Sequence, residues 1–179
     1  MNVTMPGADR LHERDVIQRA LHSALDDPVS KDYVLLQLQA HELAHVHRFA
    51  VYLERLLCDE LAQWGVTIDI DYDYDGQFKK TFMDTTGLAR QDRDKDHQFR
   101  PDLIIHHRGD GRHNVLVLEW KKLADRRTVS KTKERLLKIQ RQLRYEYLVI
   151  VSSCEDHAKW CFVEDADSGL DWDIVQRAG

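Results

Sequence analysis

The 179-residue sequence has little of what marks several protein classes. With eight glycines and three prolines, it is neither collagen-like nor a low-complexity linker. Its three cysteines form no CxxC pair, which argues against a disulfide framework and a cysteine-based zinc site. No apolar run approaches the roughly 20 residues that span a bilayer, and residues 1–14 lack the apolar core of a signal peptide. These absences predict a cytoplasmic protein without a membrane partner.

What is present suits a single folded unit with a sizeable core, since 42% of the residues are hydrophobic. The net charge of −5 is unevenly distributed. The stretch 121–144 holds ten lysines and arginines against Asp125 and Glu134, a net charge of +8, so the remainder carries −13. Such a run is typical of a solvated helix face. A local excess of this size in an acidic protein also indicates a surface that could face phosphates.

Apolar periodicity predicts two helices in the first third of the chain. The first covers residues 10–26 and ends at Asp26-Asp27-Pro28. The second begins with Ser30 as its N-cap and runs to Trp64, where Gly65 supplies the stop. Glu42 is the one carboxylate in an otherwise apolar line of this long helix. The break between the two helices divides the chain into an N-terminal helical extension, residues 1–29, and an α/β domain, residues 30–179.

The remainder predicts a mixed β-sheet flanked by helices. Strict alternation over 66–73 predicts a half-buried strand, and 102–107 and 114–121 form a predicted hairpin. Between the first strand and the hairpin, residues 77–100 form a long polar segment that is typical of a loop. A helix capped by Ser130 runs to Arg144, a strand covers 146–152, and the tail 153–179 stays unassigned, with Trp160, Phe162 and Trp172 as packing anchors. The predicted order is helix, three strands, helix and strand, after an extra N-terminal helix.

One motif that carries chemistry is His41-Glu42-Leu43-Ala44-His45, a literal HExxH. In zinc peptidases this spacing puts two imidazoles on one helix face, with the glutamate as general base. Here His41 and His45 would share their face with polar residues such as Gln37, Arg48 and Arg55, whereas catalytic zinc occupies a dry pocket. We therefore expect surface histidines on a helix and keep the zinc peptidase as an alternative.

A second motif is Pro101-Asp102 followed by Glu119-Trp120-Lys121. On the second strand of the hairpin, Glu119 and Lys121 project from one face and Trp120 from the other. Hairpin pairing can bring Asp102 beside Glu119. Two carboxylates buried together need a cation, and hard oxygen ligands suit Mg²⁺ or Mn²⁺. An ordinary ion pair at the end of a strand is the competing interpretation.

The run RPDLIIHHRGDGRHNVLVLEWKK, residues 100–122, resembles the signature of the PD-(D/E)XK, restriction-endonuclease-like nuclease superfamily. Within it, the chain is most similar to small uncharacterised prokaryotic members. These carry a first-helix acid before a "hhRhhxYLE" pattern, here Glu42 before residues 47–54, and then an acidic strand, here IDIDYDYDG at 68–76. The resemblance covers about residues 41–152. One departure is Trp120, which is larger than the residue usual between Glu and Lys.

The resemblance implies an αβββαβ fold and the roles of the site residues. Asp102 and Glu119 would be ligands of Mg²⁺ or Mn²⁺, Lys121 would be the catalytic lysine, and Glu42 would complete the metal site. The reaction would be hydrolysis of phosphodiester bonds by metal-activated water, with DNA favoured over RNA as the substrate. The predicted nucleic-acid-binding residues are Lys122, Arg126, Arg127, Lys131, Lys133, Arg135, Lys138 and Arg141.

Further hypotheses stay open on the sequence alone. A catalytically quiet module of the same fold would bind nucleic acid or a protein without cutting. No base-reading module is identifiable, so we expect weak sequence preference or specificity supplied by a partner protein. A homodimer is expected by analogy with proteins of this fold that cut both strands. Phage defence, repair and mobile-element maintenance are all consistent with such a nuclease.

Overall fold

The structure is a computed structural model and describes residues 7–38, 40–71, 74–75, 78–79, 100–109, 113–165 and 169–176. Five helices lie in this part of the chain: α1 (Gly7–Ser30), α2 (Tyr33–Gln37), α3 (Glu42–Leu56), α4 (Cys58–Trp64) and α5 (Arg126–Leu143). The eight strands described are β1 (Thr67–Ile70), β2 (Tyr74–Asp75), β3 (Phe78–Lys79), β4 (Leu103–His106), β5 (Asn114–Lys122), β6 (Tyr147–Ser153), β7 (His157–Phe162) and β8 (Asp173–Gln176).

Strand β5 is apolar on both faces, as the sequence NVLVLEWKK requires of a strand inside a sheet. It lies third in a six-stranded sheet of order β1-β4-β5-β6-β7-β8, and β2 pairs with β3 separately. Strands β5 and β6 are parallel, whereas the other neighbours are antiparallel. A parallel pair needs a long crossover, and α5 provides it.

Helices cover both faces of the sheet. Side chains of α1 and α3 pack with Leu116, Leu118 and Trp120 in one apolar cluster. Side chains of α5 pack with Ile104 and Val117 in a second cluster on the opposite face. The predicted mixed α/β class, with helices that flank a mixed sheet and an N-terminal helix, is confirmed. The boundary predicted at 29/30 falls in the last turn of α1, whose apolar face shares the first cluster.

The prediction of one helix from Ser30 to Trp64 is wrong. The chain leaves helical geometry after α2, and His41 then caps α3. It breaks again at Leu57, which is the C-cap of α3 and the N-cap of α4. Each break turns the next helix, so the apolar lines of a continuous helix are not kept and Leu38 is 74% exposed. Gly65 ends α4 with φ of 68°, as predicted, because glycine adopts the left-handed region without strain.

Two other helix ends differ from the sequence prediction. Helix α1 runs through Asp26-Asp27-Pro28 to Ser30, because burial of its apolar stripe outweighs the one main-chain hydrogen bond that Pro28 cannot donate. Helix α5 begins at Arg126, not after Ser130. Its N-cap is Asp125, whose carboxylate accepts a hydrogen bond from the Thr128 N–H over 2.7 Å.

The strands agree better with the sequence pattern. The hairpin of β4 and β5 and the strand β6 lie within a residue of their predicted positions. Strand β1 is shorter than predicted and ends at Ile70. The unassigned tail supplies β7 and β8, and Trp160, one of the predicted anchors, is buried in the first cluster. Most of the segment 77–100 lies outside the described residues.

None of the five described helices is both long enough and apolar enough to cross a bilayer.

Trp120 joins the sheet to α3, and its replacement tests this packing. Its indole stacks on His45 at 5.9 Å between ring centroids, and its Nε1 donates to Ser153 Oγ over 2.9 Å. We expect Trp120→Phe to lower the free energy of unfolding by about 2–3 kcal/mol, because it leaves a cavity and an unpaired hydroxyl. Trp64→Phe, at a half-buried position, should cost less than about 1 kcal/mol. Equal losses in urea unfolding would contradict the packing described.

Candidate active site

Four of the predicted site residues come together at one end of β5. Lys121 Nζ lies 3.1 Å from Glu119 Oε2, 3.2 Å from Asp102 Oδ2 and 4.0 Å from Glu42 Oε2. Three separate parts of the chain supply these groups: the start of α3, the residue before β4, and β5 itself. Nothing in local sequence brings Glu42 to the other three, so the fold alone assembles the cluster.

Strand register places Asp102 beside the two β5 residues. Leu103 pairs with Leu118, so the next residue outward, Asp102, lies opposite Glu119. The ladder of main-chain hydrogen bonds stops there, and Asp102 Oδ2 accepts from the Trp120 N–H over 2.7 Å. This side-chain bond holds the carboxylate at the sheet end, on the face where Lys121 and Glu119 project, as the alternation of a strand predicts.

Glu42 reaches the cluster from the first turn of α3. His41 precedes the helix, and its Nδ1 accepts from the Leu43 N–H over 3.3 Å. Glu42 Oε1 accepts from the main-chain N–H of Lys122 over 3.0 Å, so the start of α3 is tied to the end of β5. A carboxylate in the first turn is also stabilised by the helix dipole.

Glu119 is the most deeply buried member, with 1% of its side chain exposed. Burial raises its pKa and the nearby Asp102 carboxylate adds to the rise, whereas Arg135 and Lys121 oppose it. Oε1 of Glu119 is buried without a hydrogen bond, and its one cationic neighbour in the described structure is the Arg135 guanidinium at 3.5 Å. Burial of such an oxygen costs free energy that a long contact with one guanidinium only partly offsets.

Lys121 stays protonated at neutral pH. Burial alone would lower its pKa, but the carboxylates of Glu119 and Asp102 outweigh that effect and the pKa is raised. Its ammonium also donates to the Trp120 carbonyl over 2.8 Å. The side chain can therefore stabilise negative charge or deliver a proton, but in this state it is not a base.

The donor set fits a hard divalent cation. Three carboxylates face one ammonium, and Oε1 of Glu119 accepts no hydrogen bond, although the Arg135 guanidinium lies 3.5 Å from it. Mg²⁺ and Mn²⁺ prefer carboxylate oxygens and water. Asp102, Glu119 and Glu42 are the residues that would hold such an ion. Their oxygens do not all lie within 4.8 Å of one another in the structure, where the Lys121 ammonium contacts all three, so an ion would have to draw them together.

The HExxH motif does not present two imidazoles on one helix face. His41 lies before the first helical residue, with its Nδ1 engaged by the Leu43 N–H. His45 is 1% exposed and stacks on Trp120, so the expectation that it lies on a wet face is wrong. Burial lowers the pKa of His45, although the Ala40 carbonyl partly opposes the shift. Only Glu42 of this motif reaches the cluster at the end of β5.

The eight predicted nucleic-acid-binding residues do not form one surface: five share an arc of α5, Arg126 and Lys133 lie on α5 outside that arc, and Lys122 lies on β5. Helix α5 is amphipathic, and five of them lie within an arc of about 120° on its exposed side, at 100° per residue: Arg127, Lys131, Arg135, Lys138 and Arg141. Lys122 lies apart, because it projects from the opposite face of the sheet and its Nζ donates to the Ala40 carbonyl over 2.9 Å.

Two features escaped the sequence analysis. Arg135 was assigned to nucleic-acid binding alone, yet it contacts Glu119 and the Arg100 carbonyl. No sequence pattern predicts that contact, because it depends on how α5 crosses the sheet. A second group, Cys154, Asp156 and His157, lies in the turn after β6. Three metal-ligating residue types within four positions, directly after a predicted strand, are a sequence pattern that could have indicated this group.

No family model, no curated protein and no solved structure matches this chain.

The raised pKa of Glu119 predicts a pH dependence of stability. The folded state binds this proton more tightly than the unfolded state, whose pKa is about 4.5. The contribution of Glu119 to the free energy of unfolding is therefore full below pH 4.5 and is lost as the pH rises through the folded pKa, by at most about 1.4 kcal/mol per pH unit. Glu119→Gln lacks this titration.

We expect Glu119→Gln to gain stability relative to the wild type as the pH rises above 4.5, measured by urea unfolding between pH 4 and 8. Glu119→Gln also loses the contact with Lys121. Because the lysine stays charged between pH 4 and 8, that loss shifts the free energy of unfolding by the same amount at every pH. Glu134→Gln, on the exposed side of α5, is the control and should follow the wild type. A pH-independent difference for Glu119→Gln would contradict the assigned burial effect.

Proposed function

We propose that this protein is a metal-dependent nuclease that hydrolyses phosphodiester bonds with Mg²⁺ or Mn²⁺, with DNA favoured as the substrate. The observation that carries the proposal is the convergence of Glu42, Asp102 and Glu119 on the Lys121 ammonium. Those residues match, position by position, the PD-(D/E)XK pattern that the sequence resembles.

Each residue of the cluster has a task that its surroundings support. Glu42, Asp102 and Glu119 would hold the divalent ion, which when bound supplies Lewis-acid stabilisation of a phosphate and lowers the pKa of water. Lys121, kept cationic by its carboxylate neighbours, stabilises the charge that develops on the phosphate oxygens. In the reaction, water adds to phosphorus as one P–O ester bond breaks, which gives a phosphate monoester and a hydroxyl.

The exposed basic arc of α5 supports a nucleic-acid substrate. Arg135 belongs to that arc and also lies 3.5 Å from Glu119, so the arc leads directly to the carboxylate cluster. Lysines and arginines on one helix face bind a phosphate backbone without reading its sequence. A chain of net charge −5 that concentrates its basic residues beside this site has the field needed to bring a polyanion there.

The order of elements supports the finer fold assignment. An antiparallel β1-β4-β5 unit followed by α5 and the parallel strand β6 is consistent with the restriction-endonuclease-like αβββαβ arrangement. A homodimer or a partner protein would then supply sequence specificity, and a cytoplasmic role in phage defence, repair or mobile-element maintenance fits such an enzyme.

Metal-dependent cleavage by wild-type protein tests the proposal. We expect plasmid or single-stranded DNA to be cut with Mg²⁺ or Mn²⁺ and not with EDTA. Lys121→Ala should lower the cleavage rate by roughly 10²- to 10³-fold, because it removes a cation beside the reacting phosphate. Arg55→Ala removes an exposed cation from the far end of α3 and should cut like the wild type.

The outcomes separate the competing functions. Cleavage that survives Lys121→Ala would overturn the assigned site. Binding without cleavage under any metal would favour a catalytically quiet nucleic-acid-binding module. Proteolysis that depends on zinc and is lost in His41→Gln would favour the peptidase.

The α5 arc makes a separate prediction about binding. The double variant Lys138→Ala/Arg141→Ala should weaken DNA binding and lower the slope of log K against log[salt] by about two. Fluorescence anisotropy in EDTA measures both without cleavage. Arg19→Ala, an exposed position on α1, should leave the slope unchanged. An unaltered slope in the double variant would contradict α5 as the nucleic-acid interface.

A further inference from the structure

The turn between β6 and β7 holds three different metal-ligating side chains within four residues. Ser153 pairs with Ala158, and the Cys154 N–H donates to the His157 carbonyl over 3.0 Å. Cys154 and His157 therefore face each other across a two-residue turn, and Asp156 is one of its central residues. A short turn between paired strands holds the two flanking side chains close together in any state that keeps the hairpin.

The donor atoms meet at one point. Cys154 Sγ lies 2.9 Å from His157 Nδ1 and 3.0 Å from Asp156 Oδ1, and Nδ1 lies 2.7 Å from Oδ1. Within the described ranges, no other three ligating side chains bring their atoms within 4.8 Å of one another.

This geometry does not suit a nucleophile and its base. In such a relay, the nucleophile and the orienting carboxylate contact opposite nitrogens of the imidazole. Here Asp156 contacts Nδ1, and the sulfur also lies nearer to Nδ1 than to Nε2, at 2.9 Å against 3.5 Å. Both partners converge on one ring nitrogen, as ligands of a shared ion do.

We propose that Cys154, Asp156 and His157 form a Zn²⁺ site with three protein ligands and one position open to solvent. Thiolate, imidazole and carboxylate together suit zinc, whereas Mg²⁺ and Mn²⁺ favour oxygen-only sets. The lack of a CxxC pair argues against sites built on paired cysteines, but this set needs one cysteine only.

The site needs little rearrangement to accept the ion. Tetrahedral zinc with its usual bond lengths holds S, N and O ligand atoms about 3.4–3.6 Å apart. The three atoms are 2.7–3.0 Å apart in the structure, so each pair must separate by about half an ångström. Asp156, with 84% of its side chain exposed, is free to make most of that movement.

The site shares no residue with the proposed nuclease site, although both lie at the same end of the sheet. Ser153, the residue before Cys154, pairs with Lys122, and its carbonyl accepts from the Leu123 N–H over 2.8 Å. Zinc bound there would cross-link the two ends of the β6–β7 turn. It would therefore raise the melting temperature without taking part in phosphodiester chemistry.

Metal titration of the full chain tests the site, with excess Mg²⁺ present to occupy hard-oxygen sites. We expect one zinc per chain, a higher melting temperature with zinc, and a thiolate-to-metal charge-transfer band when Co²⁺ replaces zinc. Cys154→Ser should lose the band and weaken zinc binding by at least about 100-fold, and Asp156→Asn should weaken it by about tenfold.

The control variants separate this site from others. Cys58→Ser and His47→Gln alter an exposed thiol and an exposed imidazole elsewhere, and should bind zinc like the wild type. Lys121→Ala should also retain zinc. Absence of cleavage would therefore count against the proposed nuclease and would not affect the zinc-binding result. Zinc affinity unchanged in both Cys154→Ser and Asp156→Asn, or no zinc bound by the wild type, would overturn the proposal. Because the Asp156 side chain is exposed, Asp156→Asn should fold, and its zinc affinity tests the proposal even if Cys154→Ser fails to fold.

Discussion

At the end of β5, the main-chain N–H of Trp120 donates to the Asp102 carboxylate over 2.7 Å. This bond occupies the position where the ladder between β4 and β5 stops. The register of the β4–β5 hairpin therefore determines where the Asp102 carboxylate lies. A slip of one residue would turn Glu119 and Lys121 to the opposite face and bury Trp120 on the wrong side. The packing of Trp120 against α3 and the assembly of the site thus depend on the same pairing.

The second constraint is charge compensation. Glu119 is buried at a cost that its raised pKa reports, and Lys121 and Arg135 offset only part of that cost. Proteins accept such a penalty where burial and like charges serve chemistry. A divalent ion would offset more of it, because it could engage the Glu119 oxygen that makes no hydrogen bond. The charges of the same carboxylates keep Lys121 cationic against the opposing effect of its own burial.

Strand parity and hairpin pairing were predictable from sequence, because they follow from a period of two and from local turns. The convergence of Asp102, Glu119 and Lys121 followed from them. Helix boundaries were not predictable in the same way. The apolar pattern continues across the breaks before His41 and at Leu57, and only packing against the sheet decides where α3 begins. For the same reason the environment of His45 was mispredicted, since its partner Trp120 lies far away in the chain.

Mn²⁺ binding by the Lys121→Met variant, measured by calorimetry beside the wild type, tests the central claim most directly. If three carboxylates form the metal site and Lys121 is the competing cation, its removal leaves them with less compensating positive charge, since Arg135 contacts only Glu119 among them. Mn²⁺ should then bind about tenfold more tightly or better, while cleavage is lost. Mn²⁺ binding that is absent from both proteins, or that is unchanged in the variant and insensitive to Glu119→Gln, would contradict the account.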